Sequence, residues 1–175
     1  MLQKSRPALM AKPLIISWGV GLVMMMTLAT VASMAGAQQP HTSGSKSGII
    51  ASIQNGKNGM PAWILSGVWD FKNVNSSSPA FNSTFIMVML NGTALHKHRI
   101  SDLKMIGSPT KSGMVTTYNG TATVTLALCM RCKIGVPVPN VPISIKLAGP
   151  VISVWIDPAK IMDHFGNTPI YGVVD

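Results

Sequence analysis

The stretch STFIMVMLNGTALHKHRISDLKMI, residues 83–106, decides the fold. Its first part alternates two apolar sets: Phe85, Met87 and Met89 on one face, Ile86, Val88 and Leu90 on the other. Successive side chains of a strand point to opposite faces, so a run that is apolar on both predicts a central strand. Asn91-Gly92 follows, the dipeptide that tight hairpin turns favour. TALHKHRISDLKMI then reads as the returning strand. In it His96, His98, Ile100, Asp102 and Lys104 share one phase, and Lys97, Arg99, Ser101 and Leu103 the other.

Outward from this hairpin the same grammar recurs. AWILSGVWDF precedes it as a strand, joined through the loop NVNSSSPAFNS. GSPTKSG turns the chain after it, and MVTTY leads to a second Asn-Gly, at 119–120, expected to be another turn. TATVTLAL alternates cleanly, with Val124, Leu126 and Leu128 inward and Thr123, Thr125 and Ala127 outward. VPVPNVP is extended, ISIKL alternates again, and VISVWI is a buried strand. DPAKIMDHFG predicts one short helix starting at Pro158 with Asp157 as its N-cap. Some seven or eight short strands punctuated by turn residues predict an all-β fold, an antiparallel sandwich or barrel, Ig-like in general architecture. There is no internal repeat, no Gly-rich phosphate loop after a strand and no Gly-x-Ser-x-Gly elbow.

The N-terminal part has a different composition. Lys4, Arg6 and Lys12 form a basic leader, residues 13–37 carry no charge, and Ala35-Gly36-Ala37 offers small residues for cleavage. That is the layout of an export signal. About 20 apolar residues also suffice to span a bilayer. Residues 1–37 are therefore expected to be a signal peptide or a retained transmembrane anchor, with the following domain outside the cell, secreted or tethered to the membrane. Residues 38–60 read as a flexible Gly/Ser/Asn linker, and 61–175 as the β domain.

Beyond the leader, eleven Lys and Arg face five Asp, a net +6, and there is no glutamate. The cations are scattered and not interleaved with aromatics, which argues against a nucleic-acid groove. Four sequons, at Asn75, Asn82, Asn91 and Asn119, would be glycosylation acceptors in an exported chain.

His96 and His98 are half of the chain's four histidines. Two residues apart on a strand, they point to the same face, about 6.5–7 Å apart along the backbone, and can reach one metal. His164 is the natural third ligand. Phe165, Pro169 and Tyr171 would give a hydrophobic surround, and Asp163 an outer carboxylate for an imidazole. Such a triplet resembles the zinc arrangement of carbonic anhydrase in the triplet alone. Copper suits the ligands equally well. The opposing reading is a surface pair beside Lys97 and Arg99, whose charge would repel a dication.

Cys129 and Cys132, the only cysteines, form a Cys-x-x-Cys turn. A structural disulfide ranks first there, capture of a soft metal with Met130 second and redox chemistry last. Of the thirteen methionines, Met87 and Met89 read as core filler.

Phe85, Met87, Val88, Gly92, Thr93, His96 and His98, with His164, Phe165, Gly166, Pro169, Ile170, Tyr171 and Gly172, also carry a resemblance over most of residues 63–175. The chain resembles a family of exported proteins of uncharacterised function from ammonia-oxidising archaea. That resemblance implies export and a β fold, and it places His-x-His and His-Phe-Gly in one chain, but it implies no activity. The expectation is thus an exported or membrane-tethered β domain that binds copper or zinc through His96, His98 and His164, in metal delivery or as accessory to an envelope enzyme. The alternative is a metal-free structural or interaction module whose partner is another envelope protein. An enzyme ranks third, because only Asp102, Asp157 and Asp163 could serve as acid or base near such a site.

Overall fold

The computed structural model describes residues 44–126 and 135–175. The leader and the Cys129–Cys132 turn, and with them the signal, anchor and disulfide expectations, lie outside the described residues. Among the described residues no helix is long and apolar enough to cross a membrane.

Nine strands are described: β1 (Lys46–Asn55), β2 (Pro61–Lys72), β3 (Ala80–Met89), β4 (His96–Met105), β5 (Thr110–Ser112), β6 (Val115–Leu126), β7 (Val136–Ala148), β8 (Val151–Ile156) and β9 (Ile170–Val174). Every neighbouring pair is antiparallel. The sheet runs β4-β3-β2-β1-β9-β8-β7-β6, and a further β4–β6 pairing closes it into an eight-strand barrel. The all-β antiparallel fold is therefore present in its barrel form. β5 lies on the first residues of β6, just beyond the part that β4 covers.

Alternation explains the barrel. Along β6, Tyr118, Ala122, Val124 and Leu126 are buried while Thr121, Thr123 and Thr125 lie between them, half-buried. An eight-strand barrel has an interior just wide enough to be filled by side chains. Here Leu65, Phe71, Phe81, Phe85, Ile100, Val124, Ile145 and Ile152 fill it. First and last strands are tied by β1–β9 pairing, and the buried Trp69 indole donates to the Val173 carbonyl at 3.2 Å.

Four details differ from the sequence expectations. Residues 46–55, placed in the linker, form β1. Its inward phase is Gly48, Ile50, Ser52 and Gln54, so the apolar half of the pattern, Ile49 and Ile53, faces out. Asn119-Gly120 is no turn but lies inside β6. A Cβ on Gly120 would collide with the Lys104 carbonyl of β4, so glycine is there for close strand approach. The phase of β4 slips at a bulge between Ser101 and Lys104, where Asp102 has φ 57°. Leu103 and Met105 therefore pack on the core, and Lys104 points out. The expected helix is a single 3-10 turn, Pro158–Lys160, N-capped by Asp157 as expected.

Candidate metal centre

β4 supplies two of the three histidines. His96 and His98 occupy the inward phase with Ile100, while Lys97 and Arg99 point outward. The cationic side chains thus lie on the far side of the strand from the imidazoles. On β3, Met87 pairs with His96 and Phe85 with His98, and both β3 residues are buried.

The third histidine arrives on the β8–β9 connection. Asp157 caps its first turn, with the Ala159 N–H donating to Oδ1 at 3.0 Å. The chain then bends through Met162 (φ 54°) and Asp163 (φ 55°), where Asp163 N–H donates to the Pro158 carbonyl and His164 N–H to that of Ile161. Left-handed conformations at two consecutive non-glycine residues reverse the chain at a local cost. The loop is held by what surrounds the bend. Ile161 and Phe165 are fully buried, and Phe165 packs at 5.5 Å from Phe85 and 4.8 Å from His98, ring centre to ring centre. Gln54, at 0 % exposure on β1, donates to the Pro169 carbonyl at 3.0 Å and accepts a short hydrogen bond from the Thr168 hydroxyl. Gly166, at φ 72°, passes close to the Asn55 carbonyl. These contacts aim His164 at the β4 pair.

The Nε2 of His164 stands 3.3 Å from the Nε2 of His96 and 3.3 Å from that of His98. The potential ligand atoms of the three residues all lie within 4.8 Å of one another. For metal–nitrogen bonds of about 2.0–2.1 Å, a tetrahedral ion sets its nitrogens about 3.3–3.4 Å apart. The outer ring atoms are committed elsewhere. His96 Nδ1 faces the Ala94 carbonyl at 2.5 Å, and His98 Nδ1 faces the Thr125 carbonyl at 2.8 Å. A carbonyl only accepts, so both Nδ1 atoms carry hydrogen, and in a neutral ring so held Nε2 is the atom that presents a lone pair. A single hydrogen on His164 Nε2 would have to serve two acceptors, each at a long distance. A cation at the centre serves all three nitrogens.

Burial favours the neutral form of His98 and His164. His98 is 1 % exposed, and its pKa is lowered to about 4, mainly by desolvation and further by the charges of His164 and His96, against a raising effect from the Thr125 carbonyl. Desolvation, with the charge of His96, also lowers His164 to about 4. Neutral imidazole is the metal-binding form.

The three histidines therefore lie close enough to hold a metal ion. No protein-family model, curated protein or solved structure matches the chain.

The surround differs in part from expectation. Phe165 packs on His98 as foreseen, but Tyr171 faces outward at 47 % exposure, and Pro169 contributes its carbonyl to Gln54. Among the described residues no hydrogen bond joins the Asp163 carboxylate to an imidazole. Instead, backbone carbonyls of Ala94 and Thr125 hold the rings. Trp63, edge-on to His96 with ring centres 5.7 Å apart, carried no sequence signal beyond being aromatic. Gln54 had one: a polar residue in the inward phase of a strand. That strand lies in the stretch whose Gly/Ser/Asn composition reads as linker.

Proposed function

We propose that the protein is an exported barrel domain that binds one transition-metal ion, copper or zinc, through His96, His98 and His164, and serves metal delivery or an envelope enzyme. The observation that carries the metal reading is the meeting of three Nε2 atoms, two of them on rings whose Nδ1 is held by a backbone carbonyl, with 3.3 Å from His164 to each of the others. Export rests on the basic, apolar and small-residue order of residues 1–37. Both metals accept three imidazoles, and Met87, which pairs with His96 across β3 and β4, brings a polarizable thioether of the kind Cu(I) favours. The test is metal content. Purified protein should hold about one equivalent of copper or zinc, and the double variant His96→Ala/His98→Ala should hold none. Equal content in the two proteins would end the proposal.

A second reading, a metal-free interaction module, draws on the outer wall of the barrel. Ile49, Ile53, Ile64 and Val68 on β1 and β2 face outward at 40–60 % exposure, and Ile49 pairs with Val68 and Ile53 with Ile64. Native protein devoid of metal would favour it.

A further inference from the structure

The three imidazoles do not enclose their centre evenly. His98 lies beneath it, fully buried between Phe85 and Phe165. His96 and His164 are both half-buried. Beside the site, a cleft of about 710 Å³ lies between the β1–β2 turn and the His164 loop, and His164 and Trp63 are part of its wall. A tetrahedral ion bound by three nitrogens has one corner left, and of the three ligands His164 is the one that lines the cleft.

The cleft's chemistry is mixed. Trp63 gives an apolar wall, Asn55 and Asn167 give amides, and the charged groups on its lining are Lys57 and Asp163. All three metal ligands are neutral, so a divalent ion keeps its full double charge at the mouth of the site, and a single Asp163 carboxylate opposes that ion together with Lys57. The field there favours an anion. The volume is that of a small-molecule pocket, far more than an inorganic ion fills.

We propose that the free corner of the metal binds the carboxylate of a small organic acid, whose apolar body lies against Trp63 and whose charge Lys57 complements. This rests on the metal reading of the same three histidines. The ligand enters from the cleft, places one carboxylate oxygen on the metal and displaces water. Its second oxygen and any further polar groups meet Lys57 and the two asparagine amides.

The test uses the full chain loaded with Co(II), whose visible bands report the ligands of a tetrahedral site. Acetate and benzoate are titrated into it. The expected result is a saturable band shift with both, benzoate binding about tenfold more tightly than acetate because its ring is buried against Trp63. Benzyl alcohol, of similar shape and uncharged, should leave the bands unchanged. Lys57→Ala should weaken both acids several-fold and leave Co(II) affinity as it was. Cobalt that binds stoichiometrically but whose bands ignore both acids would overturn the inference while the metal reading stands. Equal affinity for acetate and benzoate would remove the organic body, and an unchanged affinity in Lys57→Ala would remove that residue's role. Failure to take up cobalt, copper or zinc would overturn both the inference and the reading beneath it.

Discussion

The Nε2 atoms of His98 and His164 stand 3.3 Å apart although 66 positions separate the residues in the chain. One sits on a barrel strand and the other on the loop between β8 and β9. Their approach costs each imidazole much of its hydration, which is why both pKa values fall to about 4. A bound cation offsets that cost by giving both nitrogens a partner.

Loss of any one ligand should therefore be severe, but the three are not equivalent. Each of His96→Ala, His98→Ala and His164→Ala should lower metal affinity by more than about a hundredfold, beyond the loss typical of an outer partner. His98→Ala alone should also destabilise the metal-free barrel, by on the order of 2–3 kcal/mol. It opens a cavity beside Phe85 and Phe165 and strips the Thr125 carbonyl of its donor. Isothermal titration calorimetry and urea melts of the apo-proteins check the two parts separately. Equal stability losses in all three variants would contradict this ranking.

Acid should act on the metal-free protein in a defined window. His98 titrates at about 4 in the fold against 6.5 when unfolded, and His164 behaves alike. Between these values the unfolded chain binds more protons than the folded one, so stability falls as pH falls. It should be complete above about pH 6.5 and decline toward pH 4, by on the order of 3 kcal/mol for His98. Protons should likewise not displace a bound ion from His98 or His164 between pH 7 and about pH 5. Thermal melts across pH 4–8, with and without zinc, measure both. A melting temperature flat from pH 7 to 4 in the apo-protein would contradict the burial argument.

Saturating metal should in turn raise the melting point. Binding to the folded state alone contributes about 2.7 kcal/mol at a free concentration one hundred times Kd. Calorimetric scans with zinc should show the rise, a chelator should reverse it, and His96→Ala/His98→Ala should show neither effect.

How far the sequence foretold this depends on whether a feature was local. The inward phase of His96, His98 and Ile100 followed from strand alternation, as did Val124 and Leu126 on β6. What failed was where a local rule met a tertiary demand. β1 escaped notice because its inward positions include Gly48, Ser52 and Gln54, so the apolar signal marks the outer face. Gly48 is small because a Cβ there would collide with the Val173 carbonyl of β9, and Gln54 is polar because it holds the loop beyond β8. Asn119-Gly120 has turn chemistry, yet the approach of β4 decides it. The β4 bulge at Asp102 depends on pairing with β6, which lies too far along the chain to read from residues 96–105. Only the scarcity of histidine and the resemblance link His164 to the β4 histidines in the sequence, since no periodicity joins a loop to a strand. Its geometry rests on Ile161, Phe165 and Gln54, whose partners are distant in sequence.

Gln54 gives the most specific prediction, because it touches no metal ligand. Its amide donates to Ser52 Oγ at 3.3 Å and to the Pro169 carbonyl at 3.0 Å, and it accepts from Thr168. It thereby fastens the C-terminal end of the His164 loop to β1. Gln54→Leu keeps the volume but leaves the Pro169 carbonyl and the Thr168 hydroxyl without this partner. The expected loss is about 1–3 kcal/mol of stability. Metal affinity should fall about tenfold, since support for a ligand is worth 10–100-fold. Gln54→Glu retains an acceptor for Thr168 but sets a carboxylate against the Pro169 carbonyl at a position of 0 % exposure, so it should cost at least as much stability as Gln54→Leu. The decisive comparison sets metal affinity against stability: Ser83→Ala removes the buried hydroxyl that donates to the Val68 carbonyl at 3.1 Å, elsewhere in the barrel, and should lower stability without lowering affinity. If Gln54→Leu and Ser83→Ala bound zinc equally well at equal stability loss, Gln54 would have no part in placing His164.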